Sequence, residues 1–323
     1  MSHLIVVLDP ISPQRLEQMH GLLPDGFALE TVASRDPAEQ MAAAKRADFL
    51  VTGDLPVDAA MMRAGAAARL KGVHKWGVGY DSIDIDTARE VGIRVMRTTG
   101  SNARAVAETA VTLMLSVQRS IVSGHEGMLR GEWLKGAVGP RTFLLTGKTV
   151  GLVGLGFIGK NVAKLLRGFD CRILYTKPTK LPADEEREFG VEHADLQTLL
   201  RESDVVSLHC ALTPETRWMM GKEQFAAMKD GAILINTARG GIVVEEDLAD
   251  AVESGKLRGA GVDVFATEPP PAGNRLIGLP NVVVTPHIAA QATDNFDATV
   301  SRMFENIRRV AAGEPVPEID HLV

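Results

Sequence analysis

The sequence has few cysteines, no long uncharged apolar run and no concentration of basic residues. Its two cysteines in 323 residues, Cys171 and Cys210, lie far apart in apolar, strand-like runs. A chain of this size needs no disulfide staple, so both read as core thiols of a protein in a reducing compartment. No uncharged apolar stretch approaches the ~20 residues needed to cross a bilayer. The opening MSHLIVVLDP has no basic segment before its short apolar run and no small-residue cleavage site after it, so it reads as a first strand rather than a secretion signal. Lysine and arginine total 35 against 41 aspartate and glutamate, a net charge of -6. With no stripe of aromatics and lysines to offset that charge, neither nucleic acid nor membrane is an expected partner. The expectation is a cytoplasmic protein with small-molecule partners.

What is present is ordinary for a globular chain of about two domains: 45% apolar and 24% charged residues. Short apolar runs alternate with helix-forming stretches. LIVVLD (4–9), FALETV (27–32), ADFLVT (47–52), GVHKWG (72–77) and IRVM (93–96) read as one series of strands. TVGLVG (149–154), CRILY (171–175), DVVSLH (204–209), AILIN (232–236), GAGVDV (259–264) and NVVVTP (281–286) read as a second. Strands spaced by helices imply parallel sheets with crossover connections, an α/β chain of doubly wound type. Between the series, 102–122 is a long run of helix formers too apolar for a free surface, followed by a Gly-rich loop over 131–148. A closing helix is expected over roughly 293–312.

VGLVGLGFIGK holds Gly154, Gly156 and Gly159 in G-x-G-x-x-G spacing, between a strand and a helix. In that context the first glycine allows the tight turn, the second admits a pyrophosphate, and the third lets the helix pack on the sheet. The amides opening the helix, at Phe157 and Ile158, then face the phosphates together with the helix's positive end. Such a fingerprint normally carries an acid about 20 residues further on, which holds the ribose 2′-hydroxyl. Here YTKPTK stands at that place, with Thr176, Lys177 and Lys180 and no acid; Asp170 precedes the strand and belongs at its other end. A carboxylate would repel a 2′-phosphate, whereas a threonine and lysines would not. About 1.4 kcal/mol of such preference is a tenfold selection. NADP(H) is therefore favoured over NAD(H).

Three polar residues follow apolar strands: Arg239 in INTARGG, Glu268 in VDVFATEPPP and His287 in VTPHIAA. In an open α/β sheet, ligands bind beyond the carboxyl ends of the strands, so all three fall on the ligand side. His74 and His209 lie near predicted ligand-side loops and are weaker candidates. No metal-ligand spacing is evident.

Together, KWGVGYDSID (75–84), NARAVAE (102–108), GKTVGLVGLGFIGKNVA (147–163), LHCALTPET (208–216), residues 235–270 and VTPHIA (284–289) closely resemble the D-isomer-specific 2-hydroxyacid dehydrogenases over nearly the full length. The resemblance implies two doubly wound parallel-sheet domains, a Rossmann cofactor domain over 100–289 inserted into a flavodoxin-like substrate domain formed by 1–99 and 290–323. It implies catalysis in a cleft between them and a homodimer using the helix near 102–122. It places the catalytic set on Arg239, Glu268 and His287, with His287 as acid and base, Glu268 as its partner, and Arg239 on the substrate carboxylate and the oxygen that gains charge. It also implies that backbone amides near Val78 and Gly79 hold that carboxylate, that Asp263 contacts the nicotinamide carboxamide, and that Cys210, Thr237 and Ala238 line the cofactor. The expected activity is hydride transfer between NAD(P)H and a small 2-keto acid, glyoxylate or hydroxypyruvate first. A D-3-phosphoglycerate dehydrogenase and a dinucleotide-sensing corepressor-like binding protein are the alternatives. A formate dehydrogenase is disfavoured by Glu268, which stands where a glutamine is expected. The sequence also departs from its relatives after His287, where Ala292 precedes Thr293 and a threonine would stand one place earlier. Thr176→Asp is expected to move the cofactor preference toward NADH, read as the ratio of kcat/KM for the two dinucleotides; an unchanged ratio would contradict the 2′-phosphate assignment.

Overall fold

Strands joined through helices have to return in the same direction, and the computed structural model, which describes residues 2–323, contains only parallel sheets. Two units emerge: Met1–Asn102 with Ala292–Val323, and Ala103–Gln291. The boundaries expected from the sequence, at 99/100 and 289/290, lie a few residues earlier.

The first unit is built on β1 (His3–Val7), β2 (Phe27–Thr31), β3 (Phe49–Thr52), β4 (Gly72–Lys75) and β5 (Arg94–Arg97), ordered β2-β1-β3-β4-β5. This is the flavodoxin-like order, with its switch point between β1 and β3. Both faces of the sheet are covered, so β1 and β3 read as unbroken apolar runs rather than alternating ones. Ile5, Val7, Phe49 and Val51 join one buried cluster, while Val6, Leu8 and Leu50 join the other. The helix Phe296–Ala311 lays Val300, Met303, Phe304 and Ile307 on the first of these faces, a single stripe of a 3.6-residue period. The three residues before it, Thr293–Asn295, form a 3₁₀ turn instead of the helical start expected there.

The second unit has β6 (Thr149–Val153), β7 (Arg172–Thr176), β8 (Val191–His193), β9 (Val205–Leu208), β10 (Ala232–Asn236), β11 (Leu257–Val262) and β12 (Val282–Val284), ordered β12-β11-β10-β9-β6-β7-β8. The order reverses between β6 and β9, which is the dinucleotide-binding switch point of a Rossmann sheet. β8 escaped the sequence pattern because it has three residues and buries only Val191. The expected helix over 102–122 ends earlier: Ala103–Gln118 is followed by Ser120 in the left-handed region (φ 48°), and Ile121–Leu129 continues at a 67° bend. The segment expected as a loop over 131–148 contains a short helix, Lys135–Val138. No single helix among the described residues is long and apolar enough to cross a membrane.

A buried polar network lies beneath β4 and β5 in the first unit. Asp320, with no solvent exposure, accepts from the Thr99 amide at 2.8 Å and from Arg302 Nη2 and Nε at 2.7 Å each. Asn306 joins it to His74 through Nδ2, 3.1 Å from Asp320 Oδ2 and 3.3 Å from His74 Nε2. His74 Nδ1 lies 2.9 Å from the Lys75 carbonyl. A carbonyl only accepts, so Nδ1 carries the proton and Nε2 accepts from Asn306: a neutral imidazole with both nitrogens used. Burial pushes His74 down to about 4, despite the raising influence of the Lys75 carbonyl and Asp320, and burial does the same to His209. The unfolded imidazole binds its proton near pH 6.5, so acid favours the unfolded chain between there and about 4, and stability falls as pH drops through that window. His74→Gln is expected to be less stable at about pH 7 yet to lose less stability than the parent between about pH 7 and 5, measured by urea unfolding. A slope equal to the parent's would contradict this assignment.

Candidate active site

The glycine turn is shaped as its spacing predicts. Gly154 has φ +98°, and a Cβ there would meet the His209 carbonyl and the Cys210 amide at 2.6–2.7 Å. A Cβ at Gly159 would meet the Gly154 carbonyl oxygen at 2.6 Å, whereas one at Gly156 would meet nothing within 4 Å. The first and third glycines are thus held by packing, and the second faces open space, as a backbone approached by a pyrophosphate must. The helix Phe157–Leu166 begins at Gly156 with no side-chain cap, leaving its opening amides, Phe157 and Ile158 among them, without the carbonyls of a preceding turn. At the ends of the neighbouring strands β9 and β10, His209 Nδ1 and Thr237 Oγ1 are buried without a partner. A glycine-lined opening flanked by orphaned polar atoms suits a polar, phosphate-bearing group such as a dinucleotide.

Thr176 is the last residue of β7, and its carbonyl accepts from the Gly154 amide at 2.9 Å, which places it beside the turn. Asp170 caps the turn before β7, at the opposite end of the strand. The lysines have different surroundings. Lys180 pairs with Glu186 at 3.6 Å, and Glu186 also accepts from the Tyr175 hydroxyl at 2.8 Å. Lys177 is half-buried and has no acidic partner among the described residues. Burial pushes the Cys210 thiol up to about 11, so it is neutral at physiological pH; Cys171 is likewise a free thiol.

Three strand ends carry Arg239, Glu268 and His287, all in the second unit. After β10, Asn236 organises the turn: its Oδ1 accepts from the Ala238 amide at 3.1 Å and its Nδ2 donates to the Arg239 carbonyl at 3.0 Å. The Arg239 Nη1 donates to the Ala238 carbonyl at 2.7 Å. Gly240 then presses against the next loop so closely that a Cβ would fall 1.9–2.2 Å from the Phe265–Ala266 peptide, and no side chain fits. Glu268, on that loop, accepts from the Phe265 amide at 2.9 Å through Oε1 and pairs with His287 Nδ1 at 2.6 Å through Oε2. Partial burial raises the Glu268 carboxyl, but the hydrogen bonds from His287 and Phe265 and the charges of His287 and Arg239 outweigh it, so the group titrates below the usual carboxylate range. It is ionised at neutral pH, and its bond to Nδ1 fixes the orientation of the His287 ring.

Asp263 explains how His287 is presented. It is fully buried, and its carboxylate accepts from the Thr285 hydroxyl at 2.5 Å and from the Ile288 and Ala289 amides at 2.9 Å each. Its carbonyl accepts from the His287 amide at 2.8 Å. His287 sits in the left-handed region (φ 53°), a conformation rare outside glycine that these bonds hold in place. The sequence assigned Asp263 a cofactor contact and missed this role; its one signal was a lone acid at the end of an apolar strand. Val78 and Gly79 lie on the loop after β4, at the carboxyl ends of the first sheet, and their amides donate to no backbone carbonyl among the described residues. The Val78 carbonyl accepts from Arg97 Nη1 at 3.3 Å. His74, in the first unit, belongs to the buried network described above, and His209 Nε2 is paired with the Ser207 hydroxyl at 2.9 Å.

The model of the D-isomer specific 2-hydroxyacid dehydrogenase NAD binding domain matches residues 111–289. The chain is 44% identical to a hydroxypyruvate reductase of Thermotoga maritima over 71% of its own length and 74% of that protein. It is 42% identical to a glyoxylate reductase of Thermococcus litoralis, over 78% of this chain and 77% of that one. It is 35% identical to a D-3-phosphoglycerate dehydrogenase of Archaeoglobus fulgidus over 97% of its length, spanning 58% of that longer protein. The chain is an oxidoreductase with a nicotinamide-dinucleotide-binding domain, and it belongs to the D-isomer-specific 2-hydroxyacid dehydrogenase family.

Proposed function

We propose that the chain is a 2-keto acid reductase, and in reverse a D-2-hydroxyacid dehydrogenase, that prefers NADP(H) and acts on a small substrate, glyoxylate or hydroxypyruvate. The observation that carries this reading is the 2.6 Å pair between Glu268 Oε2 and His287 Nδ1. With Nδ1 held by the carboxylate, Nε2 would be the ring atom that exchanges a proton with the substrate oxygen. The bound dinucleotide would supply the hydride at the carbonyl carbon. Arg239, whose charge already acts on Glu268, would bind the substrate carboxylate and stabilise the oxygen that gains charge. The backbone amides of Val78 and Gly79 remain proposed contacts of the substrate carboxylate. Phe157, Ile158, Thr237, Ala238, Cys210 and Asp263 remain the proposed surroundings of the cofactor.

The NADP(H) preference rests on Thr176 and Lys177 at the end of β7. Lys177 carries this argument better than Lys180, whose charge is already answered by Glu186. A homodimer is proposed from apolar side chains concentrated between residues 121 and 144: Ile121, Leu129, Trp133 and Leu144 are all more than half exposed. The second reading, a phosphohydroxypyruvate-utilising enzyme, is favoured by the nearly full-length match to a phosphoglycerate dehydrogenase. His287→Ala is expected to lower kcat by about 10²–10⁴-fold while dinucleotide affinity, followed by fluorescence titration, stays nearly unchanged. Turnover close to the parent's would refute the assigned acid–base role.

A further inference from the structure

Glu268 is effective only if its loop is held in place, and its own bond to the Phe265 amide ties that loop at one point only. The loop after β11 is exposed from Ala266 to Pro269 and rich in proline, with few apolar anchors. One carboxylate outside the proposed catalytic set reaches into it. Glu245 opens the helix Glu245–Glu253, where an acid is favoured by the helix's positive end. Its side chain nevertheless turns away from its own helix. Oε1 accepts from the Ala266 amide at 2.6 Å, and Oε2 accepts from Asn274 Nδ2 at 2.6 Å. Two consecutive amides are therefore fixed by two different acids: Phe265 by Glu268 and Ala266 by Glu245. Asn274 is itself tied down, because its Oδ1 accepts from the amide of the buried Leu276 at 3.0 Å. Beyond it, Arg275 spans Glu246, Asp250 and Glu253 of the same helix at 2.8 Å each. On the other side, Gly240, the neighbour of Arg239, packs directly on the Phe265–Ala266 peptide.

We propose that Glu245 is a positioning residue for the proton-transfer pair: its carboxylate clamps the loop at both ends, at Ala266 and Asn274, and so sets where Glu268 meets His287. The proposal rests on the acid–base reading above. A clamp of this kind works through geometry, since a displacement of the order of 1 Å at a reacting group can cost about 100-fold in rate. It leaves the dinucleotide turn at Gly154 untouched.

The test is a double-mutant cycle on the full-length protein, with Glu245→Ala, Glu268→Gln and the double variant, measuring kcat and KM for glyoxylate and for whichever dinucleotide the parent uses. Glu245→Ala is expected to lower kcat by about 10–100-fold with the dinucleotide KM within about twofold of the parent. In the Glu268→Gln background the same change is expected to cost less than about twofold, because the two residues act through one path. Glu245→Gln keeps an acceptor for Ala266 but turns an amide donor toward Asn274 Nδ2, so it is expected to recover only part of the loss; the part that remains carries the cycle if the alanine variant does not fold. An equal loss in both backgrounds would overturn the proposal. So would parent-like turnover in Glu245→Ala where Glu268→Gln is impaired. Parent-like turnover in Glu268→Gln would instead overturn the acid–base reading on which the proposal rests.

Discussion

A carboxylate without solvent contact must be surrounded by donors, and the second unit is organised around one that is. Asp263 ends the apolar run of β11 with no exposed surface, and three donors from the segment 285–289 converge on its oxygens. Leaving such a charge unpaired would cost several kcal/mol, so the segment is bound to the strand end wherever the sheet is folded. That constraint turns His287 into its left-handed conformation and aims its ring at Glu268. Removal of Asp263 would leave three donors unanswered and release the histidine, which makes it a determinant of the site independent of any cofactor contact.

The polar strand ends form a chain of local fixings. Asn236 shapes the turn that presents Arg239, Gly240 seats that turn on the Phe265–Ala266 peptide, and Glu268 closes the loop by accepting from Phe265. Each fixing uses a backbone group that would otherwise be unsatisfied. The geometry of the Glu268–His287 pair is thereby a by-product of satisfying the loop backbone. Charge follows the same logic: Glu268 titrates low because His287, Phe265 and Arg239 all stabilise its anion against the effect of burial.

Much of this was legible in the sequence. Parallel strands with both faces covered show as unbroken apolar runs, and the G-x-G-x-x-G spacing encodes both a positive φ at Gly154 and close packing at Gly159. Arg239, Glu268 and His287 are visible because polar residues that follow apolar strands stand out. What stayed hidden was set by tertiary context. β8 is too short to alternate, and the break after Gln118 comes from Ser120, whose left-handed φ no propensity announces. Glu245 looks like any acid in a first helical turn until the loop it grips, some twenty residues away in sequence, is folded against it. The two lysines of YTKPTK are equivalent on paper and unlike in the fold, because Glu186 answers only Lys180.

On the proposed function, this site would reduce a small 2-keto acid with a hydride from NADPH. Initial rates of NADPH and NADH oxidation with glyoxylate, hydroxypyruvate, pyruvate, phenylpyruvate and phosphohydroxypyruvate test it most directly. Turnover with glyoxylate or hydroxypyruvate is expected at a higher kcat/KM for NADPH than for NADH. Faster turnover with NADH would reduce Lys177 to a solvated charge, and no turnover with any of the five acids would contradict the assignment of the substrate class.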